Sequence, residues 1–201
     1  MPGTLGPDDP LAADDAALRA IVEPLVLSAI GDGAQTTSGP VSRIGLLGGD
    51  LCRTVGGRGD VERLRTDAYV LPCDAVIVEL NGKRQIAVAH LVARRSWWFG
   101  RLAAVMNATT FGSWDVAPRG HPGDGKVDIF DVTLSLRDRV SARQRLPLGT
   151  HVPHPDIAVS RRRDFDLSFD RAVPIRIDGI DAGRSDRVSG WVCPDAFEVV
   201  V

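Results

Sequence analysis

The chain has 201 residues and a formal net charge of -2, from 24 Lys+Arg against 26 Asp+Glu, so no global field draws in nucleic acid or an anionic membrane. That length suits one domain, or one with a small appendage, and buries a real core. Cys52, Cys73 and Cys193 are odd in number and form no Cys-x-x-Cys pair, which speaks against a disulfide framework or a zinc knuckle and for free thiols in a reducing cytoplasm. The first ten residues lack the basic start and apolar run of a signal peptide, and no stretch is long and apolar enough to span a bilayer.

Asp14 and Asp15 can cap a helix whose Leu18, Ile21, Val22, Leu25 and Ala29 fall on one face, ending at Gly31. Pro24 lies inside this helix and predicts a kink or a later start. A loop is expected over 31–40, a short strand over Arg43 to Leu47, and a short helix after Gly48-Gly49-Asp50. From Asp74 the pattern changes to alternation: Val76, Val78 and Leu80, then Asn81-Gly82, then Ile86, Val88 and His90. Asn-Gly supplies the positive φ angles of a type I′ turn, so this predicts a hairpin.

Further strands are expected over Leu102 to Ala108, Val127 to Leu136, Ile157 to Ser160, Phe165 to Phe169, Val173 to Asp178, Val188 to Val192 and Phe197 to Val201. Many short strands punctuated by Gly, Pro and Asp indicate a mainly-β, sandwich-like or barrel-like domain. His151 and His154 are the one close histidine pair, and metal ligation there needs a third ligand. Arg161-Arg162-Arg163 offers phosphate contacts or a solvated turn. Arg94-Arg95 followed by Trp97-Trp98-Phe99 offers a peripheral lipid contact or an ordinary split between core and edge.

Three turns share an order and spacing: Leu47-Gly48-Gly49-Asp50-Leu51-Cys52-Arg53, then Asn107 through Ala117-Pro118 to Asp124-Gly125, then Asp178-Gly179. Together they resemble the diacylglycerol kinase-like lipid kinases, a superfamily that also includes the NAD kinases. The resemblance implies a nucleotide-binding stretch of the form Gly-Thr-Gly-Asn-Asp-Leu-Ala-Arg at Leu46 to Arg53. Gly48, Asp50, Leu51 and Arg53 match it, whereas Leu47 and Gly49 replace the threonine and asparagine. It also implies a magnesium site at Asp124, with His121 and Lys126 as carbonyl donors, although a tight Asp-Gly turn needs no ion. Asp178 stands where the family carries the aspartate of Asp-Gly-Glu, the base for the lipid hydroxyl, but Ile180 replaces the glutamate. Read without the resemblance, Asp178-Gly179 is a hairpin turn leading to a strand near Val188.

Met1 to Leu5 is similar to the end of the family's Gly-Gly-Asp-Gly-Thr phosphate loop, with Gly3 and Thr4 matching and Pro2 in the aspartate's place. By resemblance, residues 1–66 are a small α/β remnant of a nucleotide-binding domain, and 67–201 are a β-sandwich-like lipid-kinase C-terminal domain. The resulting expectation is a truncated or degenerate diacylglycerol kinase-like protein that binds a lipid, a nucleotide or a partner protein, with weak or absent phosphotransfer. The alternative is an ATP- and Mg2+-dependent lipid kinase completed by another subunit or an upstream segment. A missing front domain would leave Leu18, Ile21 and Leu46 uncovered, which predicts a homodimer or a partner subunit.

Overall fold

The computed structural model describes residues 3–31 and 43–201. Beyond Gly31, the loop expected over 31–40 lies outside the described residues, as do Met1 and Pro2. Strand β1 (Leu11–Ala12) runs into helix α1 (Asp15–Ile30), whose start is capped by the Asp14 carboxylate accepting the Ala17 amide at 2.8 Å. Leu18, Val22, Val26 and Ile30 recur every four residues and are buried. The expected kink at Pro24 does not end or split the helix. Pro24 faces solvent, and the buried stripe opposite it carries the packing that outweighs the lost backbone bond.

Strand β2 (Arg43–Leu46) leads into the one-turn helices α2 (Gly49–Thr54) and α3 (Val61–Thr66). Strands β3 (Val70–Leu80) and β4 (Lys83–Ala87) then form the Asn81-Gly82 hairpin, with φ of 51° and 73° at its two central residues, as a type I′ turn requires. The strands β5 (His90–Arg94), β6 (Leu102–Met106) and β9 (Val127–Val132) pair antiparallel in that order. Between β6 and β9 the chain forms a two-stranded ribbon, β7 (Thr110–Phe111) with β8 (Trp114–Asp115).

The expected strand over Val127 to Leu136 ends at Val132, and helix α4 (Leu136–Arg145) follows. Ser135 caps it: its Oγ accepts the Asp138 amide at 3.3 Å and donates to the Asp138 carboxylate at 2.5 Å. Strand β10 (Ile157–Arg162) then pairs with β9. The four short C-terminal strands expected from sequence are two long ones, β11 (Asp164–Ile177) and β12 (Ile180–Val200). Register shifts between Ser168 and Val173 and between Cys193 and Phe197 mark the places where the sequence looked interrupted.

The result is mostly β. The ten-stranded mixed sheet runs β1-β2-β12-β11-β5-β6-β9-β10, and β12 also carries the β3–β4 hairpin. β12 is the spine: its first half pairs with β11, its second half with β3, and its last residues run parallel to β2. The N-terminal strands therefore belong to the same sheet as the C-terminal ones. Val76, Val78 and Leu80 of β3 share a core with Ala93 of β5, Val105 of β6 and Ile175 of β11. A second core places α1 and α2 against Ile44, Ile77 and Phe197.

The expectation of uncovered apolar surface is corrected. Leu18 and Leu46 are fully buried and Ile21 is partly buried, because α1 and α2 already cover that side of the sheet. The motive given for a dimer disappears with it. Since Pro24 leaves Ala20 without its helical amide partner, Pro24→Ala is expected to stabilise the fold by about 1–3 kcal/mol, read as a raised midpoint in urea unfolding with an unchanged slope.

Candidate functional site

Asp178 opens the two-residue turn between β11 and β12, with φ of 49° at Asp178 and 80° at Gly179, and β12 resumes at once at Ile180. Its carboxylate is buried and reaches the bend between β4 and β5. There Oδ2 accepts the Val88 amide at 2.9 Å, while Oδ1 accepts those of Ala89 at 2.9 Å and His90 at 3.0 Å. Burial pushes this carboxyl up to about 6, against the opposing pull of the His90 charge and the three amides.

The His90 ring lies between carboxylates. Its Nε2 is 3.0 Å from Asp50 Oδ2, and its face meets Phe111 with ring centres 4.7 Å apart. Nδ1 is buried and has no hydrogen-bond partner among the described residues. Burial opposes the protonated ring, but the hydrogen bond to Asp50 and the charges of Asp178, Asp50 and Asp15 win and hold His90 above its ordinary value. Asp50 is held below its usual range: burial opposes this, and the bonds from His90 and Arg53 prevail. Its Oδ1 also accepts the Gly112 amide at 2.8 Å.

The Gly48-Gly49 turn joins β2 to α2 in the strand–turn–helix order expected of a phosphate loop. The start of α2 already holds an anion, however. The Asp15 carboxylate accepts the amides of Asp50 at 2.6 Å and Leu51 at 3.0 Å, and it fills the space a Cβ on Gly49 would take. Gly49 has φ +97°, so a side chain there would be strained as well as crowded. Asp15 escaped the sequence reading except as a helix cap, because its partners lie 35 and 36 residues away.

Gly3 and Thr4 are not among the groups packed on Gly48 and Gly49, whose nearest neighbours are Ala13 and Asp15. Gly3 instead donates its amide to Ala68 and abuts Val70. At the third expected site, Asp124 accepts the Lys126 amide at 3.0 Å and pairs with the Arg161 guanidinium. Both carboxylate oxygens are engaged, so a hard cation would have to displace Arg161, and the turn as folded does not fit one. The more buried carboxylate here is Asp74, which accepts the amides of Gly125 at 2.7 Å and Asp195 at 3.0 Å. One donor atom each from Asp15, Asp50 and His90 falls within 4.8 Å of the others, but all three side chains already have partners in the fold.

His151 and His154 do not share a site. His154 is half-buried beside Asp138 and Asp156, whereas His151 lines an apolar cavity beneath α4. That cavity, about 120 Å³, is walled by Val92, Leu102, Ala104, Met106 and Phe130 of the sheet and by Trp97, Phe111 and Trp114. Its roof is clamped by Arg139, which donates to the carbonyls of Leu134 at 3.0 Å, Trp97 at 3.1 Å and Gly100. An open cleft adjoins it along Val92, Trp97 and Phe111, bounded by His90, Arg94, Arg95 and Arg176. The cavity is the feature that sequence reasoning missed, since its walls come from six separate segments.

Solved structures share this fold. A diacylglycerol kinase of Bacillus anthracis str. Sterne superposes with a TM-score of 0.64 at 14% identity, covering 94% of this chain and 74% of that one. Two chains described as candidate diacylglycerol kinases of the same strain give 0.69 and 0.61 at 13% identity. They cover 94% and 79% of this chain and 76% and 69% of theirs. The chain has the diacylglycerol kinase-like fold. No family model matches the sequence, and no curated protein matches it. Within this fold, the three turns that suggested the resemblance carry Asp50, Asp124 and Asp178, and each of these carboxylates is bonded to the protein itself.

Removing the Asp15 carboxylate strands two buried amides, so Asp15→Ala is expected to lower stability by about 2 kcal/mol in chemical denaturation. The pH response follows from the raised groups. Asp178 releases its proton in the unfolded chain before it does so in the folded one, so its contribution falls as pH rises from its ordinary value of 3.8 to about 6. His90, also raised, contributes fully below 6.5 and loses that contribution as pH climbs further. Stability from pH 6.5 to 8.5 should therefore decline in the native protein and decline less steeply in His90→Gln, measured by melting temperature across that range.

Proposed function

We propose that this protein is a lipid-binding member of the diacylglycerol kinase-like fold, with β-sandwich-like packing around its cavity and weak or no phosphotransfer of its own. The observation that carries this reading is the apolar cavity beneath α4, whose walls offer almost no polar surface to a ligand. Apolar side chains around its roof support an entry from a lipid surface: Trp98, Phe99, Val140 and Leu148 are all exposed. Such contact is peripheral, and no helix among the described residues is long and apolar enough to cross a membrane.

The phosphotransfer groups are turned inward. Phosphoryl transfer needs a cradle for the nucleotide phosphates and a base that reaches the acceptor hydroxyl. Asp15 stands in the cradle at Gly48 to Asp50, and Asp178 spends both oxygens on the amides of Val88, Ala89 and His90. ATP with Mg2+ is therefore the less favoured ligand of this chain alone. One observation keeps the kinase alternative: a carboxyl raised to about 6 at Asp178 suits a general base, provided another subunit brings the nucleotide and frees it.

The two readings separate in a thermal-shift titration. A monoacylglycerol is expected to raise the melting temperature saturably, and Mg-ATP to leave it unchanged at millimolar concentration. Ala142→Phe, which projects a ring from α4 into the cavity, should abolish the lipid shift while the protein stays folded. A saturable Mg-ATP shift with no lipid shift would reverse the order of the readings.

A further inference from the structure

The open cleft beside the cavity has an unbalanced charge. Its walls hold Arg94, Arg95, Arg176 and His90 and no carboxylate. Seven arginines elsewhere on the chain are ion-paired to acids, but among the described residues none of these three is. Arg94 lies flat on Trp97, 3.7 Å from the ring centre, and burial together with the nearby Arg176 charge lowers its basicity. Arg176 makes one long hydrogen bond, 3.4 Å, to the Gly179 carbonyl. The His90 ring also lines the cleft, but its Nε2 is paired with Asp50, so the uncompensated charge belongs to the three arginines.

The carboxylates nearest this ring do not line the cleft. Asp178 is bonded to the amides of the β4–β5 bend, and Asp50 to Gly112, Arg53 and His90 Nε2. Like charges brought together without a counter-ion raise the free energy of the empty protein and favour a ligand that neutralises them. Guanidinium forks match phosphate oxygens in pairs, and three of them beside a protonatable imidazole suit a dianion better than a single carboxylate. The cleft meets the apolar cavity along Val92, Trp97 and Phe111, so charge and hydrocarbon sites adjoin. At about 120 Å³ the cavity takes a short stretch of one hydrocarbon chain and leaves no space for a second.

We infer that the Arg94–Arg95–Arg176 cleft receives the phosphate head of a single-chain phosphate-monoester amphiphile whose tail enters the cavity beneath α4. This rests on the lipid-binding reading and adds the class of head group to it. Arg94 and Arg176 grip the phosphate, Trp97 lies at the junction of head and tail, and the His90 ring forms part of the wall beside the head.

Titration calorimetry at low salt tests the assignment with three probes below their micelle concentrations: a monoacylglycerol phosphate, the monoacylglycerol of the same chain, and glycerol phosphate. The expected result is binding of the phosphate amphiphile about tenfold or more tighter than its neutral counterpart, weakening with salt. That gap should close in the double variant Arg94→Gln, Arg176→Gln; neither arginine is ion-paired to an acid among the described residues, so the melting temperature should stay near the native value. Equal binding of the two amphiphiles would overturn the head-group assignment and leave the lipid reading standing. Glycerol phosphate binding as tightly as the amphiphile would overturn the link between cleft and cavity. Failure of both amphiphiles to bind would overturn the lipid reading itself.

Discussion

The structure turns on one buried carboxylate. Where β4 gives way to β5 the ladder is broken, and three consecutive amides at Val88, Ala89 and His90 need an acceptor in a place water does not reach. Asp178 supplies it from the tip of the β11–β12 hairpin, about ninety residues later in the chain. A charged acceptor in such a site is worth about 1.5–3 kcal/mol per bond, and leaving the amides bare would cost a comparable amount. The same residue returns its own amide to the His90 carbonyl at 2.9 Å, so the turn and the bend hold each other in both directions.

His90 is the second half of that arrangement. An isolated buried aspartate is expensive, and the imidazole between Asp178 and Asp50 offsets the charge on both sides. From Asp50 the connection passes to the start of α2 and to Asp15 at the start of α1. The line Asp178, His90, Asp50 and Asp15 thus ties the N-terminal helices to the β11–β12 turn. Asp50 and Asp178, singled out by the resemblance, are both bonded within the fold. His90 also lines the arginine cleft, which makes it part of the wall of the proposed ligand site.

The cavity has a different origin. Helix α4 carries five polar or charged residues on its outer turns and contributes little core of its own. It sits over the sheet because Arg139 is anchored by three backbone carbonyls and not because apolar side chains fill the space beneath it. A roof held at its edge by hydrogen bonds can stand over a hollow, whereas a roof held by packing would close it. The aromatic group of Trp97, Phe111 and Trp114, with ring centres 5.8 to 6.1 Å apart, forms the side wall and gives the hollow a rigid outline.

Much of the architecture was legible in the residues. Short-range rules sufficed where the interaction was local: Asp14 as a cap, Leu18 and Val22 on the inner face of α1, and Asn81-Gly82 as a type I′ turn; Ala29, expected on that face, is exposed, and Val26 and Ile30 complete it instead. Ser135-x-x-Asp138 was an equally local signal for α4, masked by the apolar run that precedes it. The order of Gly48 to Arg53, Asp124-Gly125 and Asp178-Gly179 was enough to place the chain in the diacylglycerol kinase-like fold at an identity of 13–14% to the solved relatives. Only the tertiary structure decided what those motifs do. The partner of Asp178 is a bend some ninety positions away, the anion at α2 is Asp15, and the cation on Asp124 is Arg161. A motif specifies which groups are present and how the backbone turns, but whether a carboxylate is free for a ligand depends on which distant amide or guanidinium the fold brings to it first.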